Sequence, residues 1–500
     1  MKVIKRDGRI VDYDRNKIII AIEKANKEVI EEREKASKED IKKITNYVEK
    51  IDKKRILVED MQDIIEQKLM EIGKYELAKK YIVYRYTRAL VRKSNTTDET
   101  ILGLIRNQNA DNIQNTKDKN IFLVSAQRDY IAGEVSKDLT KRLLLPEKIS
   151  KANEEGEIYF HYSNYFIQPI INSCVTNVKD MLYNGTKIND IEIEEPKNFY
   201  TACNILTQII VQVGSNLYGK QYIDLSFLGK FLRKSKEIYE KELKTQFGEK
   251  LTNIELEKMV QNAKNKELSY GIKTIKYQLK TLITSGGQQA TVELYFDLNA
   301  EKQYLQENLE IKQILEKEQI LIKEEPYKFM GQFNQGIVTL NLPQIAIIAD
   351  GDEKEFYNIL EKRLELCKEA LICRHYHLLG TLSDVSPILW QDGGIARLKK
   401  GEKIDKLLYG KYSNLSLGYI GTNEMAELMT GNLSVDEKNK FIIKVIKNLK
   451  ETIEKWKKET KIGFVLDGHP PENIEYKFAL KDKNKYGTIE NVTDKGYYTN

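Results

Sequence analysis

"FNQGIVTLNLP", residues 333–343, decides how the fold is read. Its centre is apolar and β-branched, carries no charge, and is closed by Asn341 and Pro343. A short uncharged run of that kind fits a strand buried on both faces. "ATVELYFDL" (290–298) and "GFVLDG" (463–468) read the same way. Between such pieces lie helical segments at 198–220, 227–246, 253–282, 353–379 and 434–460. Alternation of helices with short apolar strands predicts an α/β domain with buried parallel strands over 121–500.

Upstream, residues 1–92 read as a separate small unit rich in helix. "VIKRDGRIVDY" (3–13) is a hairpin signal, because Asp7-Gly8 can take the positive φ angles of a tight turn between β-branched flanks. Asp14 then caps a helix whose apolar stripe runs Ile18, Ile22, Ala25, Val29. "VEDMQDIIEQKLMEIG" and "YELAKKYIVYRYTRALVRK" repeat the helical period on either side of Gly73. A polar stretch rich in Asn, Asp and Thr then marks a linker at 93–120. Two readings of the hairpin stand side by side. Lys5, Arg6 and Lys17 could hold phosphates while the glycine turn lets the backbone approach a base, or the cations are simply solvated.

Composition narrows the classes. With 41% hydrophobic and 31% charged residues and eight prolines in 500, the chain is globular. A charge of +6, from 81 basic against 75 acidic residues, does not imply nucleic-acid binding. Cys174, Cys203, Cys367 and Cys373 form no C-x-x-C pair, so neither a zinc site nor a disulfide framework is expected. No apolar run reaches the roughly 18 residues of a membrane helix, and a reducing, cytoplasmic setting is expected.

"VIKRDGRIVDYDRNKIIIAIEKA" (3–25), with "GKYELAKKYIVYR" (73–85), resembles the ATP-cone, the regulatory nucleotide-binding domain at the front of many ribonucleotide reductases. The resemblance puts Lys5, Arg6, Asp7, Gly8 and Lys17 on that family's nucleotide-contacting motif. The remainder resembles the large subunit of anaerobic, glycyl-radical ribonucleoside-triphosphate reductases, in ordered blocks. They include "LLLPEKISKANEEGEIYFH" (143–161), "NSCVTNVKDMLYNGTKI" (172–188), "TSGGQQATV" (284–292), "FNQGIVTLNLP" and "LSLGYIGTNE" (415–424). This resemblance implies a ten-stranded α/β barrel that reduces ribonucleoside triphosphates by radical chemistry. It implies ATP and dATP as allosteric effectors, a specificity-setting dNTP near the 198–220 helix, and formate as reductant. A homodimer and an iron–sulfur, S-adenosylmethionine-dependent activase are the implied partners. Cys174 falls where the family keeps a barrel cysteine near substrate, although a pairing one place earlier puts Ser173 there. His161 falls on the second histidine of a His-x-His-Asp motif, with Tyr159 and Tyr162 in place of the first histidine and the aspartate. Asn334 belongs to the retained strand.

Two departures stand out. In the family a Met-Gly pair leads into Cys-Arg, the thiol of a finger loop; here Met330-Gly331 runs into Gln332, Phe333 and Asn334. In the family "DKGYYTN" is followed by a zinc module and the glycyl-radical loop. The resemblance therefore implies a barrel truncated at its C-terminal end and lacking the family's zinc. A fragment, a split-gene product with a separate glycyl-radical piece, and a nucleotide-sensing relative that does no chemistry all remain open.

Overall fold

The computed structural model describes residues 2–4, 10–51, 55–83, 85, 123–247, 250–323, 329–431 and 433–500. The chain divides into two compact units, Met1–Leu102 and Gly103–Asn500.

In the first unit β1 (Lys2–Ile4) pairs antiparallel with β2 (Ile10–Asp12) and parallel with β3 (Arg55–Leu57). The hairpin expected at Asp7-Gly8 is thus flanked by paired strands, while Lys5, Arg6, Asp7 and Gly8 lie outside the described residues. Helix α1 (Arg15–Asn26) starts where Asp14 accepts the Asn16 N–H at 3.0 Å. Helix α2 (Lys38–Glu49) opens on a reciprocal Ser37/Asp40 capping box, which satisfies backbone N–H groups no helical carbonyl can reach. Helix α3 (Val58–Glu71) follows. Ile18, Ile22, Ala25 and Val29 bury together against Ile44, Val48, Ile65 and Leu69, so the stripe expected from the sequence is the core face. Each such aliphatic side chain contributes about 1.5–3 kcal/mol.

The second unit is built on a mixed sheet. Its strands are β4 (Ile158–Phe160), β5 (Ser173–Val175), β8 (Gln221–Asp224), β9 (Val292–Tyr295), β10 (Phe333–Asn341), β11 (Ser413–Ile420) and β12 (Phe464–Asp467); β6 (Thr186–Ile188) and β7 (Ile191–Ile193) form a separate hairpin. The order is β12-β11-β10-β5-β8-β9, with β4 also paired to β10. The outer pairs are parallel, whereas β4 and β5 run antiparallel to β10. The sheet of the described residues counts seven strands where the resemblance implies ten.

All nine residues of β10 are buried, as a near-continuous uncharged run requires. One face packs Cys174, Ile223, Leu294 and Phe333 against α6 (Phe199–Gly214), α7 (Gly229–Phe247) and α8 (Asn253–Thr281). Another core packs Val338, Leu340, Leu415 and Leu417 against α10 (Glu353–Leu378) and α11 (Val435–Thr460). Four more helices belong to this unit: α4 (Val124–Leu139), α5 (Glu147–Glu154), which leads into β4, α9 (Leu342–Ala349), which directly continues β10, and α12 (Ile474–Tyr486).

Candidate functional site

The strand ends and α4 surround a cavity of about 930 Å³, the size range of nucleotide and cofactor sites. Its floor is set by strand register. Asn334 of β10 lies opposite Ser173 of β5, and Phe333 opposite Cys174. Directly opposed residues share a face of an antiparallel pair. Ser173 and Asn334 therefore face one side while Cys174 and Phe333 face the apolar core. The Asn334 amide is held by three hydrogen bonds, accepting from Asn172 at 2.9 Å and donating to Asn414 at 2.6 Å and Ser416 at 2.9 Å, which leaves one lone pair of its Oδ1 to accept from a ligand. Gly219 permits this, since a Cβ there would collide with the Asn172 side chain.

Cys174 lines the cavity through β5, but its side chain is buried and its Sγ lies 3.6 Å from Thr176 Oγ1. Burial pushes its thiol up to about 12, so it stays protonated at neutral pH. That is the form that can give or take a hydrogen atom rather than attack as a thiolate.

His161 does not line the cavity. Fully buried, its Nδ1 sits 3.0 Å from Glu472 Oε2 and its Nε2 2.7 Å from Thr339 Oγ1. An ionised carboxylate can only accept, so Nδ1 carries the hydrogen and the Thr339 hydroxyl donates to Nε2. Burial lowers the histidine's basicity, against the opposing pull of Glu472. For Glu472 burial alone would raise the carboxyl, but the His161 hydrogen bond, Lys477 and the Tyr162 N–H (2.9 Å) outweigh it and bring it to about 2. Arg374, fully buried, donates to the His161 carbonyl and to Tyr218 Oη and lies 3.8 Å over the Phe160 ring. Gly336 makes room for it, because a Cβ there would strike the Arg374 side chain.

The cavity has two unlike ends. At one, Lys137 of α4 and Lys477 of α12 approach together, beside Asn473, which no side-chain bond makes into a cap for α12. Two carboxylates share that end, Glu134 2.6 Å from Lys137 and Glu472 3.9 Å from Lys477, so the ammonium charges are balanced and the uncapped N–H groups of α12 are what favours an anion there. At the other end, α4 meets the 284–291 loop, with Gly286 beside Asp129 and Gly287 against Ser125. Gln288, Thr291, Lys220 and Tyr222 line that end.

The structure thus brings Asn334 and the Ser173–Cys174 pair to one cavity and sets His161 behind its wall. Lys17 belongs to the other unit, exposed on α1 with its Nζ 3.9 Å from Asp14. Glu472, Lys477 and Lys137 were not singled out from sequence; the "HPPENIEYK" run (469–477) carries no local pattern that announces its pairing with His161, 311 positions away. The cysteines sit on β5, α6 and α10, three of them buried, a placement that does not assemble a zinc site. Among the described residues no group of His, Cys, Asp and Glu could hold a metal ion, and no helix is long and apolar enough to cross a membrane.

A mixed α/β sheet with a ligand-sized cavity at its strand ends is an architecture that many enzyme classes share, and comparison with known proteins narrows it. The family model for anaerobic ribonucleoside-triphosphate reductase matches residues 117–320 and 313–500, and that for the ATP cone domain matches 1–90. The anaerobic ribonucleoside-triphosphate reductase of Haemophilus influenzae is 30% identical over 579 residues, covering 100% of this chain and 81% of that protein. That of Escherichia coli is 30% identical, covering 89% of this chain and 73% of its own length. The crystal structure of the anaerobic ribonucleotide reductase from Thermotoga maritima in complex with dATP and CTP shares the fold, with a TM-score of 0.58, 14% identity and 81% of each chain covered. The chain belongs to the anaerobic ribonucleoside-triphosphate reductase family, an oxidoreductase family, and carries an N-terminal ATP-cone domain.

Proposed function

We propose that the cavity binds a ribonucleoside triphosphate, with its phosphates toward Lys137, Lys477 and the start of α12 and its ribose over Ser173 and Asn334. The observation that carries this reading is a fixed neutral amide and two lysines at separate places in one cavity of nucleotide size. The Asn334 amide, immobilised by three hydrogen bonds, orients ribose hydroxyls without having to reorganise. Cys174, on the same strand as Ser173 but with its protonated thiol turned to the core side, is the assigned hydrogen-atom donor, and His161 acts through Glu472 rather than on substrate. With formate as reductant the reaction balances: the 2′-hydroxyl leaves as water, formate is oxidised to carbon dioxide, and its two electrons and one further proton complete the deoxyribonucleotide.

In the first unit ATP and dATP act as effectors through Lys5, Arg6, Asp7, Gly8 and Lys17, and a dNTP near α6 sets specificity at a homodimer surface. The activase and a separate glycyl-radical piece supply the radical, in the cytoplasm. A second reading is favoured by Gln332, which lines the cavity where the resembled finger loop carries a thiol: a nucleotide-sensing relative that binds without reducing. One experiment separates the two. The intact chain is incubated anaerobically with activase, a glycyl-radical polypeptide, formate, ATP and CTP, dCTP is quantified, and CTP binding is measured by calorimetry. Formation of dCTP supports reduction, binding without dCTP supports sensing, and no binding refutes both.

A further inference from the structure

The floor of the cavity carries several polar side chains, and Asn172, Asn414 and Ser416 are all bonded to the Asn334 amide. Ser173 differs. It is half-buried, lines the cavity, and its hydroxyl has no hydrogen-bond partner among the described residues.

The backbone on either side of Ser173 is fixed. The Asn172 N–H donates to the Asn334 carbonyl at 2.9 Å, the Asn172 carbonyl accepts from the Gly219 N–H at 2.7 Å, and the Val175 N–H donates to the Gln332 carbonyl at 2.8 Å. Ser173 stands directly opposite Asn334. Cβ atoms of opposed residues lie about 4.5–5.5 Å apart on one side of the pair, so a single ligand atom can reach both side chains. The two side chains offer that atom different things. Ser173 Oγ–H can donate, while Asn334 Oδ1, with one lone pair open, can only accept. A phosphate oxygen is an acceptor and has nothing to give Asn334. A base edge puts its donors and acceptors on separate atoms, in an order that changes from base to base. A sugar hydroxyl donates and accepts through one oxygen, and it is the same in every ribonucleotide.

We propose that one ribose hydroxyl accepts from Ser173 Oγ and donates to Asn334 Oδ1, and that Ser173 is a specificity-determining residue against nucleotides lacking that hydroxyl. The inference rests on the triphosphate reading above. A site that hydrogen-bonds a substrate hydroxyl rejects the analogue without it, because its own polar groups are then left unpaired.

Ser173→Ala removes only the serine hydroxyl. In calorimetric titrations of the intact chain it lowers affinity for CTP about three- to tenfold, as loss of one neutral hydrogen bond does, and lowers that for GTP equally. Affinity for 2′,3′-dideoxy-CTP is the same in variant and wild type. Of 2′-deoxy-CTP and 3′-deoxy-CTP, one keeps the loss and the other shows none, which names the hydroxyl. The melting temperature without nucleotide is unchanged, because the serine hydroxyl holds nothing in the fold. Equal CTP affinities for variant and wild type would overturn the inference and leave the triphosphate reading standing, as would a loss that extends to dideoxy-CTP, a loss that differs between CTP and GTP, or a lowered melting temperature. Failure of the wild type to bind CTP would overturn both.

Discussion

Replacing Glu472 with alanine tests whether one carboxylate ties the far end of the chain to the β4 turn. Its Oε2 accepts two hydrogen bonds, from His161 Nδ1 at 3.0 Å and from the Tyr162 N–H at 2.9 Å. Alanine orphans both donors in a buried site, at about 1–3 kcal/mol each. The electrostatic route gives a similar size. The carboxyl sits at about 2 instead of an ordinary 4.5, and at about 1.4 kcal/mol per pH unit that is roughly 3 kcal/mol. A depressed carboxyl stabilises fully above its unfolded value and loses that contribution as pH falls through the folded one. The deficit of the variant is therefore full at pH 7 and shrinks between pH 4.5 and about 2. The assay is guanidinium unfolding followed by tryptophan fluorescence, since both tryptophans, Trp390 and Trp456, are buried in the second unit and report on it alone. Glu472→Gln, which keeps an oxygen for both donors, costs less, about 1 kcal/mol. A Glu472→Ala midpoint within about 0.5 kcal/mol of wild type at pH 7, or a deficit that persists undiminished at pH 3, would refute the reasoning.

Two other substitutions follow from the structure. Asp224 is raised to about 6 by burial, so the folded state binds its proton more tightly and its ionisation destabilises the fold at neutral pH and above. Asp224→Asn, whose carbonyl can still accept the Ser226 N–H, is expected to raise stability by about 1–3 kcal/mol at pH 8, with the gain gone near pH 4; a flat difference across that range in denaturation curves would count against it. Lys17 is exposed and 3.9 Å from Asp14, a pair of little structural weight. Lys17→Ala is expected to leave melting unchanged and to weaken ATP binding to the cone by about 1–3 kcal/mol, and unaltered affinity would remove Lys17 from that site.

Long periodic segments were legible because their burial follows from local spacing. The helices expected at 253–282 and 353–379 are found at 253–281 and 353–378, and the strands in 290–298, 333–343 and 463–468 are β9, β10 and β12. The strands β4 and β5, three residues each, were hidden because a run that short has no measurable period and is held by pairing with distant strands, β4 with β10 and β5 with β10 and β8. The site was legible only in part. Asn334 and the Ser173–Cys174 pair were visible as residues, but which of Ser173 and Cys174 shares a face with Asn334 depends on register, which only the paired strand supplies. His161 reads as a candidate contact in sequence, yet both its ring nitrogens are taken by Glu472 and Thr339. Asp482 went unnoticed for the same reason. Its value lies in accepting from Asn341, Gln344 and Tyr498, three residues brought together only by folding.

The central position of β10 also dictates a timetable for the newborn chain. His161 and its partner Thr339 are 178 positions apart, and His161 and Glu472 are 311 apart. At a translation rate of about 5–20 residues per second, β4 waits roughly 10–35 s for β10 to leave the ribosome, while β5 can pair with β8 sooner. Three-residue strands cannot hold themselves together over that interval. Ile158 and Phe160, fully buried at the end, spend it as unpaired sticky edges. The cavity is among the last features to form, so a ligand can favour the finished fold only after α12 has docked, and until then the nascent sheet depends on whatever shields its open strands.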